Sequence, residues 1–297
     1  EKQEKIDFSG GEKMNKTIKF IIFFIAIFAI SFFIPNFAKA ATPVTDESSL
    51  LSAISSVGDG ETITLQNNIT VKAPIVIQKE LTIDGNGYTI TGSGDWTSTS
   101  GNQTMFTAQF SAGKLTLKNI NLQNGPKYGV QAYDGATVIL NNVSITGFKY
   151  GGVLANGGNV EVIDLHLGYN GTGANNGIEI AKGAAATNNP TLTMNGTLKS
   201  DSTENVVKIA ENDSLTEFTV TNTPNTTNKI VLTEDKVVLT DKYNNVIAET
   251  AVPDKVTGNA DEQKVIVTVM AKDKEIRFTA NEGTMITADL VKSHIVL

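Results

Sequence analysis

The side chains of this sequence that could perform acid–base chemistry lie in one short stretch of the chain. Glu161 and His166 fall in paired predicted strands, with Asp164 at the bend between them. A carboxyl group and an imidazole that reach one substrate can exchange protons with it. Glu179 is a further catalytic candidate, and Lys208 follows it one repeat later, where the two can form an ordinary surface ion pair. The alternative is that all these groups are solvated and have no chemical role.

Aromatic residues at predicted loops indicate binding rather than catalysis. Trp96, the only tryptophan, lies in an insertion at 92–104 that is rich in Gly, Ser and Thr, and Phe148 and several tyrosines lie at or near other loops. Exposed rings beside Asn, Gln and Thr suit stacking on sugars and hydrogen bonding to them. The alternative is that several rings only cover the corners of the fold. The candidate carbohydrate-binding residues are Trp96, Tyr128, Tyr133, Tyr150 and Tyr169.

Composition excludes several classes of function. The 297 residues include 24 basic and 31 acidic side chains, for a net charge of −7, which argues against a nucleic-acid partner. The absence of Cys excludes disulfides, thiolate metal sites and thiol nucleophiles. With two His residues, a multi-histidine metal centre is nearly excluded as well. Residues 84–87 (Asp-Gly-Asn-Gly) resemble a fragment of a Ca²⁺ loop but lack its other acidic ligands, so a turn is predicted and no cofactor is expected, with Ca²⁺ left open.

The first forty residues predict a leader and a secretory signal peptide. Residues 1–13 contain no Met and precede Met14, so we expect them to be non-native or untranslated. A basic start then leads into an apolar run of 15 residues, which ends before small residues at 38 and 40. That run is short for a membrane helix, which needs about 20 residues. We predict a signal peptide over 14–40, and membrane contact only through this segment.

A short helix is predicted at the start of the mature chain. Thr45 is the expected N-cap, and two acidic residues follow in the first turn, where the helix dipole favours them. One apolar face is formed by Leu50, Leu51, Ile54 and Val57. Because a solenoid exposes unpaired backbone at its ends, this helix is well placed to act as an N-terminal cap.

From residue 81 onward the apolar pattern repeats about every 23 residues and predicts a parallel β-helix. The inward positions of three successive repeats have the same spacing. They are Leu115, Leu117, Ile120 and Leu122, then Val138, Leu140, Val143 and Ile145, then Val160, Val162, Leu165 and Leu167. A second strand recurs in step at 129–132, 152–155, 177–180 and 206–209. In a parallel β-helix, a few short strands without helices form one coil, and successive coils stack about 4.8 Å apart.

A polar column is predicted at the bend between paired strands. Its members tolerate a left-handed backbone, and stacked Asn side chains can bond along the column. The column is Gly85, Asn119, Asn142, Asp164 and Gly196. We therefore assign it a structural role.

The sequence resembles a known family at its opening coils. The segments that carry the resemblance are 50–54 (Leu-Leu-Ser-Ala-Ile), 63–70 and 81–90 (Leu-Thr-Ile-Asp-Gly-Asn-Gly-Tyr-Thr-Ile). They are similar to pectate-lyase-like right-handed parallel β-helices, especially the adhesive type found on exported and surface proteins of Gram-positive bacteria. The resemblance covers about residues 45–225. It implies the fold more strongly than the activity, since β-helices serve as lyases, hydrolases and adhesins.

The features of an enzyme on this scaffold are not visible in the predicted register. A lyase would need acids on neighbouring coils to hold Ca²⁺ and a Lys or Arg base, and a glycosidase would need two facing carboxyl groups. The outward column of Gln131, Leu154, Glu179 and Lys208 contains one carboxylate, and no other column places two on adjacent coils. Arg is also missing from the coil region.

The pattern changes after residue 225. Alternation at 229–234, 236–240 and 246–250, and a hairpin pattern joining 265–271 to 275–280, predict a small antiparallel unit. The predicted organisation is therefore a leader (1–13), a signal peptide (14–40), a β-helix domain (41–225) and a small C-terminal β domain (226–297), which we expect to be truncated.

These patterns together predict an all-β protein, a right-handed parallel β-helix with an N-terminal capping helix and a small antiparallel unit. We expect an exported or cell-surface module of a bacterium, Gram-positive by resemblance, that adheres to a polysaccharide or glycan surface without catalysis. Two alternatives stay open: a polysaccharide lyase or glycoside hydrolase on the same fold, and a structural spacer of a larger surface protein.

Overall fold

The structure is a computed structural model that describes most of the chain after residue 40. The described residues are 41–96, 103–170, 176–202, 205–211, 214–233, 235–253, 256–262, 264–271 and 274–281, with backbone alone for 176 and from 259 onward. The predicted leader and signal peptide lie outside these residues, as does the end of the predicted C-terminal domain. No helix among the described residues is long and apolar enough to span a membrane.

Almost all regular elements of the described chain are β-strands. The first elements are β1 (Thr42–Val44), α1 (Glu47–Ser56), β2 (Glu61–Leu65), β3 (Ile69–Val71), β4 (Ile75–Ile77), β5 (Glu80–Asp84), β6 (Thr89–Gly92), β7 (Phe106–Gln109), β8 (Lys114–Gly125), β9 (Tyr128–Tyr133), β10 (Thr137–Phe148), β11 (Gly151–Asn156) and β12 (Asn159–Leu167). They are followed by β13 (Asn176–Ala181), β14 (Thr191–Ser200), β15 (Val207–Ile209), β16 (Glu217–Asn222), β17 (Lys229–Leu232), β18 (Lys236–Thr240), β19 (Val246–Ala251), β20 (Thr257–Glu262), β21 (Lys264–Ala271) and β22 (Lys274–Asn281).

Two parallel sheets form the β-helix. The first sheet has the order β1-β2-β5-β8-β10-β12-β14-β16-β20; in addition, β6 pairs with β8 and β3 pairs with β6. The second sheet has the order β15-β13-β11-β9-β7-β4. Leu115, Val138 and Val160 align across β8, β10 and β12, so the register follows the predicted repeat. The inward side chains of these strands are at most 3% exposed and form one continuous core. The predicted parallel β-helix is therefore confirmed.

The first coil is covered by α1 and by a strand that the sequence did not predict. β1 pairs in parallel with β2 at the end of the first sheet. The N-cap of α1 is Asp46 rather than the predicted Thr45, because the Asp46 carboxylate accepts from the Ser49 N–H at 2.8 Å while the Ser49 hydroxyl accepts from the Asp46 N–H. Leu50 and Val57 are buried as expected, but Leu51 is 45% exposed. The apolar face is thus narrower than predicted.

The polar column at the bend is confirmed for its two asparagines and wrong for its other members. Asn119 and Asn142 have φ of 50° and 56°, and the Asn142 Nδ2 donates to the Asn119 Oδ1 at 2.8 Å. Asp164, Gly85 and Gly196 are not left-handed. Asp164 aligns with residue 141 rather than 142, because the register shifts between β10 and β12 at the bend. The two glycines are required for another reason, which is close packing against the neighbouring coil.

The C-terminal part contains the predicted antiparallel strands. β17, β18 and β19 form one antiparallel sheet, and β21 pairs with β22 as a hairpin. Between them, β20 adds in parallel to β16 and extends the first sheet beyond residue 225.

Candidate functional site

A cleft on the outer face of the second sheet is the candidate site. Its volume is about 320 Å³, and it extends over strands β7, β9 and β11. The strands are in register, so outward side chains of successive coils stand side by side; Thr107, Gln131 and Leu154 form one such column. Gln131 is only 7% exposed, which makes it a floor residue. The cleft is lined by Thr104, Thr107, Gln109, Lys127, Tyr128, Gln131, Tyr133, Leu154 and Asn156.

Tyr128 is held at one end of this cleft by Glu179. The Tyr128 hydroxyl donates to the Glu179 Oε2 at 2.6 Å, across the intervening strand β11. Burial of the ring, followed by the negative charge of Glu179 and this hydrogen bond, raises the pKa of Tyr128 far above its ordinary value. The phenol therefore stays a neutral donor at any physiological pH. Glu179, one of the predicted catalytic candidates, is thus the hydrogen-bond partner that orients Tyr128.

Tyr150 enlarges the aromatic surface beside Tyr128. The two rings are stacked, with centroids 6.1 Å apart and an interplanar angle of 24°. The ammonium groups of Lys127 and Lys149 lie 5.8 and 5.9 Å from the Tyr150 centroid, within cation–π range. Tyr150 is 46% exposed, so this pair offers an accessible aromatic face.

Tyr133 forms a second aromatic pair, with a residue that the sequence did not single out. The Phe110 and Tyr133 centroids are 5.9 Å apart, with an interplanar angle of 65°, which is an edge-to-face contact. Phe110 lies in the turn after β7 and is 48% exposed. The available signal was its position directly after a strand and before Ser111-Ala112-Gly113, which marks a turn.

The other aromatic candidates lie outside the cleft lining. Trp96 packs half-buried against the core, and among the described residues its buried Nε1 has no hydrogen-bond partner. Tyr169 is 63% exposed in the turn after β12. Phe148, predicted at a loop, is 1% exposed and belongs to the core. Of the five predicted carbohydrate-binding residues, Tyr128 and Tyr133 thus line the cleft, and Tyr150 stacks on Tyr128 beside it.

The two remaining catalytic candidates lie on the first sheet. Glu161 accepts from the Asn195 Nδ2 at 2.7 Å, and the His166 Nε2 is 2.9 Å from the Asp201 Oδ1. His166 follows Glu161 by five residue steps of extended chain, so their Cα atoms are up to about 16 Å apart. The structure does not join the two in one cluster, and neither lines the cleft.

No acid pair or metal cluster accompanies the cleft in the part of the chain that is described. The register neighbours of Glu179 are Leu154 and Lys208. No group of three or more His, Asp and Glu residues that could hold a metal occurs among the described residues.

The predicted turn at 84–87 is a turn in the structure. Asn86 and Gly87 have φ of 52° and 83°. The Asp84 carboxylate accepts from the Asn86 N–H at 3.0 Å and from the Asn119 Nδ2 at 3.2 Å, and Lys118 lies 3.1 Å away. Partial burial acts to raise the pKa of Asp84, but these donors outweigh it and the pKa is lowered. The Asp84 carboxylate thus stabilises the turn and also accepts a hydrogen bond from Asn119 of the polar column.

Asp134 ties the loop at 183–190 to the turn after Tyr133. One carboxylate oxygen accepts from the N–H and hydroxyl of Thr187 at 2.8 and 3.0 Å, and from the N–H and side-chain amide of Asn188 at 3.1 and 2.9 Å. The Asn188 amide, followed by the Thr187 N–H, lowers the pKa of Asp134 to about 2. The clamp is therefore formed by the ionised carboxylate.

We expect acid to release this loop. The pKa of an unfolded Asp is about 3.9, so the lowered pKa stabilises the fold above pH 4 and this contribution is lost as the pH falls from about 4 through 2. The protection factors of the Thr187 and Asn188 amides, which correct for the pH dependence of intrinsic exchange, should fall over that range in the native chain and be low at all pH values in Asp134→Ala. Asp241→Ala, which removes a carboxylate from a turn between β18 and β19, is the matched control and should leave these amides protected. Equal protection in native and Asp134→Ala chains would contradict the clamp.

One comparison with known proteins matches the part of the chain that contains the cleft strands. No curated protein and no solved structure matches the chain. Residues 41–162 match the family model described as "Putative pectate lyase-like adhesive domain". This range includes β7, β9 and β11 of the cleft, whereas Glu179 lies beyond it. The predicted resemblance is confirmed: residues 41–162 are similar to the pectate lyase-like adhesive family, and their parallel sheets are those of a β-helix.

Proposed function

We propose that this chain is an exported adhesive module that binds carbohydrate, without catalysis, in the cleft of the second sheet. The observation that carries the proposal is Tyr128, stacked on Tyr150 and fixed by its hydrogen bond to Glu179 at the edge of a polar cleft. The adhesive description of the matched family supports a surface or secreted location, and the predicted signal peptide supports export.

The lining of the cleft has the composition that sugar recognition requires. Aromatic rings offer flat apolar faces that stack on the C–H faces of sugars, and amides and hydroxyls bond their hydroxyl groups. Gln109, Gln131 and Asn156 supply amides, and Thr104 and Thr107 supply hydroxyls. Eight of the nine described lining residues are uncharged, and their amides and hydroxyls suit a glycan without charged groups; Lys127 is the exception.

The arrangement of acids favours binding over bond cleavage. A glycosidase needs two carboxyl groups about 5–9.5 Å apart across the sugar. Glu179 is the carboxylate bonded to a lining residue, and its neighbours along the column are Leu154 and Lys208. Its bond to Tyr128 gives it an orienting role.

A glycan array with the purified chain, with and without Ca²⁺, tests the proposal. We expect binding without cleavage, so that no new reducing ends and no ultraviolet-absorbing unsaturated products appear in the same polysaccharides. Release of either product would contradict the proposal and favour a hydrolase or a lyase, respectively. Absence of binding to every glycan would favour a structural spacer.

Tyr128→Ala is expected to weaken glycan binding about tenfold, which corresponds to about 1.4 kcal/mol. The variant removes both the stacking face and the hydroxyl that bonds Glu179, whereas Tyr128→Phe keeps the face and should lose less. Tyr243→Ala is the matched control, because Tyr243 is 72% exposed in the turn between β18 and β19. Isothermal titration with an array hit measures all three. Equal affinity of Tyr128→Ala and Tyr243→Ala would contradict the assignment of the cleft.

A further inference from the structure

We propose that Phe110 and Tyr133 form a second binding platform, so that the cleft holds an extended neutral glycan along β9 between two aromatic pairs. This inference rests on the proposed carbohydrate binding and adds to it the length of the ligand, its direction along the strand and one residue, Phe110.

Phe110 adopts a backbone conformation that its side chain disfavours. Its φ is 60°, in the left-handed region, where the Cβ of an L-residue crowds the following carbonyl. A bulky residue in this region is an outlier, while Gly, Asn and Asp tolerate it. Such outliers concentrate at ligand sites.

The same turn of the next two coils shows what the fold itself requires. Asp134 and Gly157 occupy the equivalent position, with φ of 47° and 65°. The backbone N–H of each residue, and that of Phe110, donates to the carbonyl of the strand end on the next coil; the acceptors are Tyr133 for Phe110, Asn156 for Asp134 and Ala181 for Gly157. The turn therefore needs a left-handed residue and does not need a ring.

Packing does not account for the phenylalanine either. Its side chain is 48% exposed and meets the edge of Tyr133, itself a lining residue of the cleft. A ring that is strained at its backbone and half in water gains little from burial. Its position beside Tyr133 instead extends the aromatic wall of the cleft outward.

The spacing of the two pairs sets the length of the ligand. Tyr128 and Tyr133 are the first and last residues of β9, so their Cα atoms are about 16 Å apart at 3.3 Å per residue. Between them lies the floor of Gln131, Thr107 and Leu154, which supplies an amide, a hydroxyl and an apolar contact. A single sugar ring cannot span this distance, whereas an oligosaccharide of several rings can contact both pairs.

Length-dependent binding tests the inference. The probes are β-1,4-linked oligomers of glucose, N-acetylglucosamine and mannose, each from disaccharide to hexasaccharide, titrated against the full chain. We expect the affinity of the native chain to rise steeply between the short and long oligomers. Phe110→Asn should weaken the long oligomers about tenfold and leave the disaccharides unchanged, and Phe110→Tyr should retain native affinity.

Stability measurements distinguish the contribution of the Phe110 ring from that of its backbone conformation. Phe110→Asn and Phe110→Ala both lack the ring, but Asn tolerates φ of 60° and Ala does not. We expect Phe110→Asn to unfold about 2–4 °C above Phe110→Ala, while both lose the long-oligomer affinity equally. If the loss of affinity for the long oligomers correlates with the melting temperature of each variant rather than with the absence of the ring, the inference is wrong.

The remaining outcomes distinguish this inference from the proposed function. If Tyr128→Ala loses binding while Phe110→Asn binds all oligomers as the native chain does, the second platform is wrong and the carbohydrate site stands. If affinity is the same for disaccharide and hexasaccharide, the extended ligand is wrong. If the native chain binds glycans of the array but none of these oligomers, the extended neutral ligand is wrong and the carbohydrate site stands. If it binds no glycan of the array either, both proposals fail.

Discussion

Replacement of Asn170 by alanine is expected to lower the free energy of unfolding by about 2–4 kcal/mol, because it leaves several buried backbone groups without a partner. Asn170 is 2% exposed in the turn after β12. Its Nδ2 donates to the carbonyls of Ile145 and Gly168 at 3.1 and 3.0 Å, and its Oδ1 accepts from the Phe148 N–H at 3.1 Å. One side chain thus links three backbone groups where the chain turns between the two sheets.

The measurement is urea denaturation at neutral pH. Asn68→Ala is the matched control, because the Asn68 Oδ1 also accepts from a backbone N–H, that of Thr89 at 2.9 Å, but at an exposed position where water replaces the lost bond. We expect the control to lose less than about 1 kcal/mol. A loss of similar size in both variants would show that the burial of Asn170 does not matter.

The sequence predicted the features of this fold that repeat. Positions such as Leu115, Val138 and Val160 have the same surroundings on successive coils, so the same kind of side chain recurs at a fixed spacing and can be recognised. The outward column that contains Gln131, Leu154 and Glu179 followed from the same register. Regular strand packing is therefore accessible from periodicity alone.

The candidate site depends on features that occur once. The bond from Tyr128 to Glu179 passes over an intervening strand, so it depends on side-chain reach and ring orientation, which no spacing encodes. The residues equivalent to Phe110 on the next two coils are Asp134 and Gly157. Because the residue type differs at each coil, a search of the sequence for recurring residue types does not detect this position. Asn170 lies in a stretch that resembles any polar loop. Each of these residues departs from the repeat, and departures are visible only once the coils are superimposed in space.

The polar column at the bend contains glycines whose role was predicted from the wrong physical cause. Asn119 and Asn142 are left-handed, as predicted from their type. Gly85 and Gly196 stand at the same bend, but no left-handed φ explains them. A Cβ added at Gly85 would lie 2.6 Å from the Asn119 carbonyl oxygen. Glycine is needed here because backbone of the next coil occupies the space of a side chain.

Gly196→Ala is therefore expected to destabilise the fold by about 1–3 kcal/mol or more, the cost of forcing atoms into a packed region. The new Cβ would lie 1.9 Å from the carbonyl oxygen of Ile163, a backbone atom that can move only if β12 and β14 separate. A lower melting temperature, by about 2–4 °C for each kcal/mol, is the expected result in differential scanning calorimetry. Gly94→Ala is the matched control, because a Cβ there would meet nothing within 4 Å. If Gly196 were needed for a left-handed backbone, Gly196→Asn should restore the stability that Gly196→Ala loses. Close packing predicts the opposite: Asn has the same Cβ and more atoms, so Gly196→Asn should destabilise the fold at least as much as Gly196→Ala.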